Sequence, residues 1–101
     1  MTHQDYWITF NVPLSLEEAF VDCLLLFESK HGFNSVPVND HHHQSQGLSL
    51  AEQVRGRQKK IRFQIVVNAD ELSQLLIQIK KDFAEAGIQY WVVPVIERGF
   101  I

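Results

Sequence analysis

Residues Asp40–Lys60, DHHHQSQGLSLAEQVRGRQKK, decide how the chain is divided. They are the one long polar run in 101 residues, and they separate two stretches that each read as strand, helix, strand. The run opens on three consecutive histidines, passes through Gly47-Leu48-Ser49, and closes on Arg55, Arg57, Lys59 and Lys60. A polar insertion of this kind between two apolar units is a connection, and connections held by a rigid scaffold are where recognition concentrates.

Working back from that run, Tyr6, Ile8, Phe10 and Val12 alternate with Trp7, Thr9 and Asn11, the period-two signature of a strand. Pro13 stops it. Ser15 followed by Glu18 has the spacing of a capping box and predicts a helix start. Leu16, Phe20, Cys23, Leu24 and Phe27 recur at helical spacing, and Gly32 supplies a left-handed terminator after Lys30 and His31. Phe33–Asn39, with Pro37 inside it, reads as a second strand.

Working forward, Ile61, Phe63, Ile65 and Val67 alternate with Arg62, Gln64 and Val66, giving a third strand. Asn68 or Asp70 caps a second helix whose stripe is Leu72, Leu75, Leu76, Ile79 and Phe83. Gly87 ends it, and Ile88–Ile96 is a last strand apolar on both faces.

The order is therefore β-α-β-β-α-β, an α+β chain. Each helix ends in glycine followed by an apolar residue, and each following strand contains Val-Pro-Val, at Val36–Val38 and Val93–Val95, so the halves read as a duplication. Two right-handed β-α-β units interleave as a ferredoxin-like, four-stranded antiparallel sheet in the order four, one, three, two, with both helices on one face. Proline cannot donate to a ladder and belongs on edges, and Pro37 and Pro94 fall in the two predicted edge strands. The face without helices would carry Trp7, Trp91 and Val66, more apolar surface than a monomer ordinarily leaves in water. Identical subunits arranged with closed symmetry are the simplest cover.

Length and composition set the frame: one domain, residues 1–101, able to build a core without staples. No apolar run approaches the roughly 20 residues of a membrane span, and the start MTHQDYWITF has neither a basic nor an apolar leader region, so a cytoplasmic protein is expected. One cysteine excludes an internal disulfide. A net charge of −3 argues against general nucleic-acid binding. Five of the nine Lys and Arg residues nevertheless fall in Arg55–Arg62, a basic stripe bordering the polar run.

Within the run, His41, His42 and His43 have the chemistry of ligands for a divalent transition metal, with Asp40 beside them, and in extended chain His41 and His43 share a side. Solvated histidines at a strand end are the alternative. Arg55, Arg57 and Lys59 alternate, which suits either a grip on phosphate or carboxylate or an edge blunted by charge. Ser49 and Glu52 repeat the capping-box spacing. Cys23, among Phe20, Leu24 and Phe27, reads as a core thiol. No nucleophile motif, Ser-His-Asp set or paired carboxylates appear in the sequence, so no enzyme is expected.

Taken together, the element order, the apolar outer face and the long connection between strands two and three resemble the nitrogen-regulatory P-II-like superfamily, which includes CutA-like proteins. More narrowly, Gly47-Leu48-Ser49-Leu50-Ala51-Glu52-Gln53-Val54, Gly56-Arg57-Gln58, Tyr90-Trp91-Val92 and Pro94-Val95 are similar to an uncharacterised P-II-like family of proteobacteria. The resemblance implies a homotrimeric signalling or sensing protein whose connection between strands two and three takes a small ligand, a divalent metal or a partner protein. Ser49, Glu52, Gln53, Arg55, Arg57 and Lys59 are then the contacting residues. It also implies a link to heavy-metal tolerance or efflux, and so a partner such as a membrane transporter.

One departure matters. P-II proteins hold nucleotide phosphates with a Gly-rich loop between the second helix and the last strand. Here Phe83-Ala84-Glu85-Ala86-Gly87-Ile88 has one glycine and reads as having no cation nearby, so an ATP site of that kind is not expected. Two other readings share the topology. An RNA-binding module would stack bases on the open sheet face, but Lys59–Ile65 lacks the Gly-Phe-Gly-Phe pattern of such modules. The other is an amino-acid-binding regulatory domain.

Overall fold

β1 (Asp5–Pro13) is the strand from which the rest of the architecture follows, because Ile8, Phe10 and Val12 alternate and all three are fully buried. The computed structural model describes residues 4–27, 32–41 and 57–101. A short 3-10 turn (Leu14–Leu16) leads into α1 (Glu17–Leu26). After these come β2 (Phe33–His41), β3 (Arg57–Asn68), α2 (Ala69–Asp82) and β4 (Gln89–Val95). The four strands form one antiparallel sheet in the order β2-β3-β1-β4. The fold is α+β and ferredoxin-like, as the alternation and helix spacing predict. β2 and β4 are the edges, and they hold Pro37 and Pro94, whose missing N–H groups take nothing from an interior ladder.

The register places Ile8 opposite Ile65, Phe10 opposite Phe63 and Val12 opposite Ile61, so one face of both central strands is continuously apolar. α1 adds Phe20, Cys23 and Leu24 to it, and α2 adds Leu75 and Ile79. Phe20 is the hub: its ring centroid lies 5.1 Å from that of Phe10, 5.0 Å from Phe63 and 5.4 Å from Phe83. Each buried side chain of this size contributes roughly 1.5–3 kcal/mol relative to exposure.

α2 starts as expected. The Asn68 side chain accepts from the Glu71 N–H, while the Glu71 carboxylate accepts from the Asn68 N–H, both at 2.9 Å. α1 does not. The predicted Ser15–Glu18 box is not formed, because Leu14–Leu16 tighten into the 3-10 turn and carry Ser15 inside it, so the α-helix begins at Glu17 with Leu16 before it. α1 ends at Leu26, with the Phe27 N–H bonded to Leu24 and Leu25 carbonyls. Gly32 has the expected left-handed backbone at φ 67°, while Lys30 and His31 lie outside the described residues.

β2 and β3 are longer than predicted. β3 starts at Arg57 rather than Ile61 and β2 runs on to His41, so Asp40, Lys59 and Lys60 belong to the ladder and not to a loop. Alternation of apolar residues marks only the buried part of a strand, and here the ladder continues past the core, with polar residues on both sides. No helix among the described residues is long and apolar enough to cross a membrane.

Candidate functional site

The extra length of β2 and β3 makes the site. Pairing of β1 with β3 ends at Pro13 opposite Lys60, whereas β2 and β3 continue together through Asn39–Lys59, Asp40–Gln58 and His41–Arg57. Three further pairs at about 3.4 Å per residue carry a two-stranded ribbon roughly 10 Å beyond β1. The register puts positions 41, 57 and 59 on the ribbon face continuous with the helix layer, with His41 opposite Arg57 and two pairs away from Lys59. Three of the positions singled out in the sequence thus fall at neighbouring places in the ladder. His42, His43, Ser49, Glu52, Gln53 and Arg55 lie outside the described residues.

At the ribbon root, on the opposite face, Lys60 Nζ meets Asp40 Oδ2 at 2.9 Å. The pair ties the ribbon to the sheet. It also gives Asp40 a partner among the protein's own residues rather than leaving it solely for metal. Among the described residues no group of three or more His, Cys, Asp or Glu side chains is placed to hold a metal ion. Among the described residues of the ribbon, His41 is the one histidine.

The sheet face without helices is less uniformly apolar than alternation suggests. Trp7 and Trp91 remain 42% and 40% exposed, with Val36 and Val93 beside them. Thr9 and Asn11, however, are 3% and 4% exposed, because β1 is central and its neighbours close over it. Arg62 spans this face: its guanidinium lies 5.4 Å from the Trp91 ring centroid, and Nε donates to Asn11 Oδ1 at 2.9 Å. The sequence carried a signal for this cluster, a charged residue at an outward position of an interior strand. At the far end of the same face, Arg98 Nε contacts Asp5 Oδ2 at 2.9 Å and fastens the C-terminal segment to β1.

Between α2 and β4 the chain turns in Phe83–Ile88. The Ala86 N–H donates to the Phe83 carbonyl at 3.1 Å, and both Glu85 (φ 60°) and Gly87 (φ 76°) are left-handed. This corrects one expectation. The turn does have a cation close by, since Lys80 Nζ lies 5.7 Å from the Tyr90 ring centroid and shares a cavity with the turn. Lys80 and Glu85 both border that cavity. Cys23 is buried as expected. Burial first, and the Asp82 carboxylate second, push its thiol pKa up, which keeps it a protonated core group rather than a nucleophile.

A family model described as "Protein of unknown function (DUF3240)" matches residues 2–101. No curated protein sequence matches. Among solved structures, the chain is similar to a DUF3240 family protein from Shewanella baltica OS155, with a TM-score of 0.78 and 17% identity over 100% of this chain and 99% of that one. It is also similar to CPII, a nitrogen regulatory PII-like protein from Thiomonas intermedia K12 bound to ADP, AMP and bicarbonate. That match has a TM-score of 0.72 and 15% identity over 97% of this chain and 98% of that one. CutA from Synechococcus elongatus PCC7942 follows at 0.68 and 10%, over 94% and 80%. At these identities the likenesses establish a P-II-like fold and nothing finer.

Proposed function

The chain belongs to the DUF3240 family, and we propose that it acts as a homotrimeric P-II-like signalling or sensing protein without catalytic activity of its own. The β2–β3 ribbon takes up a small ligand or a divalent transition metal and presents the result to a partner protein, such as a membrane transporter linked to heavy-metal tolerance or efflux. One observation supports this reading: the β2–β3 ladder outruns the sheet by three pairs, and its register sets positions 41 and 57 opposite each other, two places from position 59. The long connection at its end contains Ser49, Glu52, Gln53 and Arg55, which complete the proposed contact set. By residue type, Arg57 and Lys59 suit an anionic ligand or an acidic partner surface, while the histidines suit a transition metal.

Three copies joined through the face of Trp7, Trp91 and Val93 would remove its half-exposed rings from water, and the tryptophans at the centre of such a face have the character of interface anchors. A trimer of 11.7 kDa subunits working in the cytoplasm is the expected form. Native mass spectrometry of protein purified without chelator tests subunit number and retained ligand together. A mass of three subunits with an anion or metal bound supports the proposal, and a stable monomer at micromolar concentration overturns it. Metal choice is read from melting: zinc, copper, nickel or cobalt at a free concentration 100-fold above its dissociation constant stabilises the fold by about 2.7 kcal/mol. An equal shift in His41→Ala with His43→Ala removes the histidines from the role.

A further inference from the structure

We infer that the cavity between α2 and β4 is a binding site for a free α-amino acid with an apolar side chain. The cavity has a volume of about 360 Å³, at the lower end of the roughly 300–1,000 Å³ of small-molecule sites, which suits one amino acid rather than a peptide or a dinucleotide. Its body is apolar, formed by Phe10, Leu76, Ile79, Phe83 and Ile88. Leu76, Phe83 and Ile88 are only half-buried, so the core does not use up the apolar surface that lines the space.

The charged groups at the mouth select the ligand. Lys80 and Glu85 both border the cavity and both are exposed to solvent. The Lys80 ammonium lies 5.7 Å from the centroid of Tyr90, itself a wall residue, so this cation stands at the border of the cavity. A purely anionic ligand would meet Glu85 and a purely cationic one Lys80. A zwitterion meets both favourably, its carboxylate toward Lys80 and its ammonium toward Glu85, with the side chain in the apolar body.

The backbone supplies a second, independent observation. Glu85 holds φ 60°, a left-handed conformation disfavoured for a residue with a Cβ. Glycine would fill that position without strain, and strained non-glycine residues concentrate at binding and catalytic sites. Keeping a carboxylate there despite the conformation is what an ammonium partner would explain. None of the lining residues belongs to the β2–β3 connection, so the inference stands apart from the reading of the ribbon.

Calorimetry of the full chain with L-leucine, L-phenylalanine and L-tryptophan tests it. At least one binds with a dissociation constant below about 1 mM, and its N-acetyl and carboxamide derivatives, which each remove one charge, bind at least about tenfold more weakly, or 1.4 kcal/mol. Lys80→Gln and Glu85→Gln cause the same loss, and amide NMR shifts on adding the amino acid centre on Ala84–Ile88 and Tyr90. Glu85→Gly is the second variant, since it removes the carboxylate while relieving the backbone, so lost binding there is not lost folding. No binding of any of the three at roughly 10 mM, equal affinity for the derivatives, or unchanged affinity in both charge variants overturns the inference and leaves the ribbon's role untouched.

Discussion

Lys60 Nζ lies 2.9 Å from Asp40 Oδ2 across the β2–β3 ladder, with the lysine side chain 8% exposed and the carboxylate 23%. The contact stands where β3 loses β1 as a neighbour, at the last pair Pro13–Lys60. Removing one partner of a largely buried pair leaves a charge in low dielectric, a loss of roughly 3–5 kcal/mol when burial is complete. Asp40 is partly solvated, so Asp40→Asn is expected to lower stability by about 1–3 kcal/mol, read as a lower urea midpoint at unchanged slope. Lys60→Met, which leaves only the better-solvated carboxylate, costs less. An Asp40→Asn melt that matches wild type would show that the ribbon root does not depend on this pair.

Cys23 gives a pH dependence with a defined sign. Burial and then Asp82 raise its thiol pKa above the ordinary 9.0. Below pH 9 both folded and unfolded chains keep the proton and the group is silent. Above it the unfolded chain releases a proton that the folded chain retains, so stability falls as pH rises past about 9. The measurement is the stability difference between wild type and Cys23→Ala, which should shrink from pH 8.5 to 10.5, pH values chosen to span roughly the ordinary thiol range. A difference independent of pH would place the thiol in water.

The apolar alternation of β1 and β3 and the helical stripes around Phe20 and Leu75 made the fold legible in the sequence, because burial imposes a period and the period names the element. The ribbon was not legible, since Asn39–His41 and Arg57–Lys59 pair beyond β1 and no burial writes a pattern into them. The start of α1 misled for a related reason. Ser15 and Glu18 have the spacing of a cap, but Pro13 and the 3-10 turn at Leu14–Leu16 set where the helix begins. Arg62 shows a third limit. Its sequence position says only that it faces outward, whereas its stacking on Trp91 and bond to Asn11 depend on which strands are neighbours.

That cluster bears on assembly. If copies of the chain meet through the face of Trp7 and Trp91, a charge placed there opposes itself across each interface. Trp91→Glu and Trp7→Glu are expected to reduce the assembled mass to that of one 11.7 kDa chain while leaving the far-ultraviolet circular dichroism unchanged, since neither ring belongs to the buried core. Truncating a central interface tryptophan typically costs 2 kcal/mol or more of association free energy. An assembly that survives both substitutions is built on another surface.

Phe20 tests the core itself. Its ring lies about 5 Å, centroid to centroid, from the rings of Phe10 and Phe63 and 5.4 Å from Phe83, so Phe20→Ala opens a cavity bounded by three aromatic residues from two strands and the end of α2. The expected loss is about 3–5 kcal/mol, against about 1 kcal/mol for Phe20→Leu, which refills most of the volume. Equal losses would mean that the aromatic contacts, not the volume, dominate.

The α2–β4 turn separates backbone strain from space. At Gly87 (φ 76°) an added Cβ would meet no atom within 4 Å, so any loss in Gly87→Ala comes from the left-handed conformation alone. It should amount to about 1–2 kcal/mol, less the roughly 0.4–1 kcal/mol by which alanine stiffens the unfolded chain. Glu85 holds nearly the same φ with a side chain already present, so the balance reverses. Glu85→Gly relieves about 1–2 kcal/mol of strain and loosens the unfolded chain by less, giving a net gain of up to about 1 kcal/mol. For a domain of this length that gain raises the melting temperature by a few degrees. Opposite signs at two positions two residues apart are the diagnostic result. Destabilisation in both would mean that Glu85 makes a stabilising contact in the folded protein that outweighs its strain.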